Sequence, residues 1–132
     1  MQIDVTDVKN MIENERISVI ASSSVEKMGY SKIYLAEEAI KGTDLNAIFI
    51  DCSFFHSGYS FIKNLVETQG KDTLIFSNLF QLNTKKAAQA FIEFIEMCKF
   101  KMVFLSYKDR SIHQSIQKYL NKFPTTEFVI NP

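Results

Sequence analysis

A three-layer α/β domain, with a mostly parallel central sheet of about five strands flanked by helices, is the fold this sequence predicts. Two observations lead to it. Short, near-continuously apolar runs of strand length recur along the chain, and segments with helical spacing separate them. Runs of that kind are how strands covered on both faces read, and their alternation with helices points to parallel pairing.

The elements follow in order. An opening helix from about Asp4 to Glu13 places Val5, Val8, Met11 and Ile12 on one face. "ISVIA" (17–21) is the first strand, and Ile33, Leu35, Ala36, Ala39 and Ile40 mark the helix after it, closed by Gly42. "AIFID" (47–51) follows, then a helix carrying Phe61, Ile62, Leu65 and Val66 that stops at Gly70. "TLIFS" (73–77) precedes a helix with Ala87, Ala90, Phe91, Phe94 and Ile95, for which Thr84 is the expected cap. "MVFLS" (102–106) leads to a last helix on Ile112, Ile116, Tyr119 and Leu120, capped by Ser111, and "EFVIN" (127–131) is the final strand. No linker, repeat or low-complexity stretch interrupts this order, so residues 1–132 read as a single domain, with 1–15 as an N-terminal docking element.

Composition narrows the function classes. With 15 Lys plus Arg against 15 Asp plus Glu, the chain has no global field to draw it to nucleic acid or an anionic membrane, so any such contact needs a local patch. Cys52 and Cys98, without close spacing, read as buried reduced thiols rather than a disulfide scaffold. Neither a signal peptide nor a membrane span is legible at the N-terminus. A cytoplasmic protein, or a nuclear one in a eukaryote, is the expectation.

In open parallel sheets, ligands lie beyond the carboxyl ends of the strands, which directs attention to 21–28, 51–57, 77–83 and 106–111. The first of these, "ASSSVEKM", has the spacing of a phosphate loop, G-x-x-x-x-G-K-[ST], with Ala21 and Glu26 for the glycines, Lys27 retained and Met28 for the hydroxyl. With "AIFIDC", "DTLIFSNLFQL" and "FKMVFLSYKD" in the places of the second core strand, the Walker B strand and the sensor strand, the chain resembles the RecA and KaiC branch of the P-loop NTPases from about Arg16 to Pro132. That resemblance implies a RecA-like core with a nucleotide site at Ser22, Ser23, Ser24, Lys27 and Asp51.

The chemistry of that site is withdrawn. Glu26 sets a carboxylate where an anion would sit, Met28 offers no metal ligand, and "TLIFSN" ends in Ser77 and Asn78 where the metal-associated Asp belongs. Phosphoryl transfer rests on placing metal and charge around the phosphate, so the reading is a non-catalytic protein with no catalytic residue, metal or cofactor. An AAA+ alternative takes Asp51 as Walker B and Asn78 as sensor. Lys85 and Lys86, with Lys108 and Arg110, follow the two strands after which the DNA-contacting loops of RecA-like proteins arise. They are the candidate DNA contacts, with affinity for single strands expected to fall with salt.

Cys52 with His56 suggests a thiolate site, but the Cys-x5-Arg phosphatase pattern fails because Gly58 stands at the Arg position. Phe54, Phe55 and Phe80 sit in or beside loops and would mark a protein interface if exposed together. The leading expectation is an accessory or interaction protein, assembling with a protein partner or with itself, in DNA recombination or repair. The alternatives are a nucleotide-binding regulator or enzyme using the site around Lys27 and Asp51, a cell-division or other regulatory binding protein, and a receiver-like or flavodoxin-like domain.

Overall fold

The computed structural model describes residues 2–3, 5–22, 37–38, 40–52, 64, 66–107, 112–123 and 125–128. Six strands form one sheet: β1 (Gln2–Ile3), β2 (Ile17–Ser22), β3 (Ala47–Asp51), β4 (Thr73–Ser77), β5 (Lys101–Tyr107) and β6 (Thr125–Phe128). Their order across the sheet is β1-β6-β2-β5-β4-β3, and every pairing is parallel. Among the described residues the complete α-helices are α1 (Val5–Asn14), α2 (Lys85–Met97) and α3 (Gln114–Leu120). Glu37, Glu38, Ile40 and Lys41 are also helical, as are Asn64 and residues 66–69.

Alternation along the strands divides the core in two. Ile20, Ile75, Val103 and Leu105 face Ile12 of α1 and Ile40, while Val19, Leu74, Phe76, Met102 and Phe104 face Val66, α2 and α3. The connections that run toward β3 thus place their helices on one side, and those that return place theirs on the other, as crossovers of one hand require. The larger core is aromatic. Phe76 stacks on Phe104 at 5.4 Å and meets Phe91 edge-on at 5.2 Å, all three with 0 % exposure. Burying each such ring contributes about 1.5–3 kcal/mol, with about 0.5–1.5 kcal/mol more for each well-oriented pair.

Local chemistry sets the helix ends. The Ala87 amide donates to Thr84 Oγ1 at 3.1 Å, which caps α2 as the sequence predicts. Gly70 has φ +65, and the Gly70 and Lys71 amides reach back to the carbonyls of Glu67 and Val66, the paired closing bonds that a left-handed residue permits. Two cations stitch helix ends to strand starts. Arg16 Nη2 donates to the Cys98 carbonyl at 2.7 Å, and Lys101 Nζ to the Glu13 carbonyl at 2.6 Å.

Three expectations are corrected. The cap of α3 is His113, whose Nδ1 accepts from the Ser115 amide at 3.2 Å, so Ile112 precedes the helix; Ser111 lies outside the described residues. The last strand begins at Thr125, two residues earlier than its apolar run, because Thr125, Thr126 and Glu127 pair with Val19, Ile20 and Ala21. A sixth strand, β1, precedes α1 and pairs with β6 through only two residues, too few to leave a periodic signal.

Candidate functional site

The strand order fixes where a ligand would be received. From β2 the chain leaves toward β3 over one face, and from the neighbouring β5 it leaves toward β6 over the other, so the carboxyl ends of β2 and β5 flank the point where the winding reverses. Ser22 pairs there with Tyr107, and Ala21 with Ser106. Ser77 closes β4 and Asp51 closes β3, in register with each other. A row of hydroxyl and carboxylate residues therefore ends the sheet.

The predicted site residues are distributed unevenly along this row. Ser22 stands at the reversal point, whereas Asp51 is three strands away, about 14 Å at ordinary strand spacing. Ser23, Ser24, Lys27, Lys108 and Arg110 lie outside the described residues, as do Phe54, Phe55 and His56. Asp51 has local work: its Oδ1 accepts from Asn78 Nδ2 at 2.9 Å. Asn78 holds φ 58 and ψ 43, a left-handed conformation that asparagine tolerates better than most residues, and turns the chain from β4 into a short 3-10 helix (Leu79–Gln81). The pair ties the end of the sheet's edge strand to the turn beside it.

Cys52 is a buried thiol, as its sequence reading has it. It is 3 % exposed, and burial, with the Asp51 carboxylate adding to it, pushes its thiol well above the usual range. The protonated thiol is a poor nucleophile. Burial pushes the Cys98 thiol up as well. Among the described residues, no group of three or more His, Cys, Asp or Glu side chains could hold a metal ion.

Lys85 and Lys86 are exposed in the first turn of α2, at the same end of the molecule. That turn contains no acidic residue. Cations are unfavourable beside the positive end of a helix dipole, by roughly 0.3–1 kcal/mol each at exposed sites, and an anion bound there would relieve the cost. Sequence pattern alone locates these lysines; their opposition to the helix dipole needs the helix boundary. A cavity of about 160 Å³ lies at the opposite end of the sheet, lined by Glu13, Asp44, Asn46, Asp72, Thr73 and Lys101 among others, and no sequence motif points to it. No helix among the described residues is long and apolar enough to cross a membrane.

The chain matches no family profile and no curated protein. Among solved structures it is similar to the replication initiator DnaA bound to AMPPCP and single-stranded DNA, at TM-score 0.54 and 13 % identity. The likeness covers 94 % of this chain but 44 % of that one, so the chain spans less than half the length of the protein it matches. The likeness extends to the fold, a three-layer α/β domain with a parallel sheet.

Proposed function

We propose that the chain is a non-catalytic, RecA-like accessory protein that works as a subunit of a larger complex and contacts single-stranded DNA in recombination or repair. The observation that carries the DNA contact is the start of α2: Lys85 and Lys86 are exposed in a first turn without an acid, at the ligand-receiving end of the sheet. Lys108 and Arg110, which lie outside the described residues and follow β5 in sequence, join them in this reading. Amides at a helix start and mobile ammonium groups suit phosphate oxygens without reading bases. DnaA, which shares the fold, is bound to single-stranded DNA in the matched structure, in keeping with this reading. Glu26, Met28 and Asn78 support a non-catalytic role, because each removes a group that phosphate hydrolysis needs.

Retention of a fluorescent oligo(dT) by the purified chain, with and without co-purified partner, tests the proposal across a salt series. Affinity should fall steeply with salt. Lys85→Glu with Lys86→Glu should weaken binding and flatten the logarithmic slope by about 0.7 for each phosphate that the variant no longer neutralises. Absence of retention at low salt, even with the partner, removes the DNA contact. A second reading, a nucleotide-binding regulator using Ser22, Ser23, Ser24, Lys27 and Asp51, is favoured by Ser22 standing at the reversal of the winding. Calorimetry with ATP and GTP, with and without magnesium, decides it: micromolar affinity would replace the non-nucleotide reading.

A further inference from the structure

Histidine is an unusual helix cap because only its neutral form can serve as one. α3 starts on His113, whose Nδ1 accepts from the Ser115 amide at 3.2 Å. The first amides of a helix have no carbonyl one turn back, and a side-chain acceptor in this place satisfies one of them. An accepting nitrogen carries a lone pair and no proton. The bond therefore fixes the neutral ring as the tautomer protonated at Nε2, and a second proton, which must enter at Nδ1, turns the acceptor into a donor. The commoner caps, Ser, Thr, Asn and Asp, keep their oxygen acceptors throughout the range in which histidine ordinarily changes charge.

The neighbouring helices oppose the added charge as well. The first turn of α3 contains no acid, and an imidazolium there would stand at the positive end of the helix dipole. Lys118 is the cation within α3. α2 shares one core with α3 and lies on the same face of the parallel sheet, so its first turn brings Lys85 and Lys86 to the same end as His113. Of the strands beneath, β2 ends in Ser22 and β5 in Tyr107, and β6 contributes an acid at this level, Glu127, whose backbone stands opposite Ala21. Loss of the cap is confined to the first turn. The Ile116 and Gln117 amides donate to the His113 carbonyl, which protonation of the ring leaves in place.

We propose that His113 is a proton-operated latch on the start of α3: the neutral ring closes the first turn on Ser115, and protonation at Nδ1 opens it, at the end of the sheet where a ligand would be received. The step moves one proton from solvent to Nδ1 and breaks one hydrogen bond, with no other reactant. The latch is closed while the imidazole is neutral and opens as pH falls through its titration. It is independent of the DNA contact, since it is read on the chain alone.

Long-range 1H–15N spectra of the 132-residue chain at about pH 8 should show His113 as the Nε2–H tautomer. Exchange of the Ser115 amide, referred to its intrinsic rate, should become about fivefold faster between about pH 8 and pH 5, the factor that an ordinary cap supplies, while the buried Phe91 amide reports any change in global stability. His113→Asn keeps a cap that does not titrate and should protect Ser115 at both pH values, and His113→Ala should protect it at neither. The unaltered chain should thus match the Asn variant at the higher pH and the Ala variant at the lower. A neutral ring protonated at Nδ1 overturns the proposal. So does Ser115 protection that is the same at both pH values, or a pH response that persists in full in His113→Asn. If His113→Ala fails to fold, the tautomer and the Asn comparison decide.

Discussion

Removing the hydrogen bond between Asn78 and Asp51 tests whether the carboxyl end of the sheet is held together by this pair. The bond is 2.9 Å long, has a carboxylate acceptor and is half-buried, so its value should sit near the low end of the charged range, about 1.5 kcal/mol. Asn78 also holds a left-handed backbone, which costs an ordinary L-residue about 1 kcal/mol or more. Asn78→Gly should therefore lose about 1–1.5 kcal/mol as the bond is removed without backbone strain, and Asn78→Ala about 2.5 kcal/mol, since strain is added. Asp51→Ala should lose about 1.5 kcal/mol, and combining it with Asn78→Gly should add little, leaving a coupling energy of about 1 kcal/mol. Urea unfolding followed by circular dichroism gives all four values. Coupling below about 0.3 kcal/mol would mean that the pair contributes nothing to stability, and Asn78→Ala no worse than Asn78→Gly would refute the backbone argument.

Four further outcomes are expected. Phe76→Ala empties the centre of the Phe76, Phe91, Phe94 and Phe104 cluster and should cost about 3–5 kcal/mol, a large part of a typical domain's stability, read from the urea midpoint. Gly70→Ala should cost about 1 kcal/mol from backbone strain alone, because a methyl group there meets nothing within 4 Å, and Gly70→Asn should recover part of it. Ser18 is 4 % exposed and its hydroxyl has no partner among the described residues, so Ser18→Ala should leave the melting temperature unchanged or raise it. The Lys9 ammonium bonded to Asp44 holds the Asp44 carboxyl below its usual range. The contribution of this exposed pair is thus present above the unfolded carboxylate pKa and is lost as pH falls through the folded value. An NMR titration of Asp44 should show the depression, and Lys9→Met should abolish it.

Much of the fold is legible in residue order because each signal is local. "AIFID" and "TLIFS" coincide with β3 and β4 residue for residue, since unbroken apolar runs bounded by polar residues or glycine leave little freedom of assignment. Thr84 and Gly70 read correctly because a cap and a left-handed stop are decided within one turn. His113 does not stand out as a cap because an imidazole seldom takes that place, and Ser111 offers the commoner hydroxyl. β1 and the early start of β6 are hidden for another reason: their pairing partners are distant in sequence, and polar Gln2, Thr125 and Thr126 become strand only because an edge is there to receive them.

The site divides in the same way. Sequence alone shows which residue types stand at Ala21, Glu26 and Met28, on which the proposed non-catalytic reading rests. It also located Lys85 and Lys86 just after a strand. Only the tertiary structure decided that Ser22 and Asp51 end strands three places apart, that Asp51 is engaged by Asn78, and that Cys52 is buried beside a carboxylate. These facts follow from strand order, which local periodicity does not encode: each apolar run specifies a strand, and the packing of connections across both faces determines which strand becomes its neighbour.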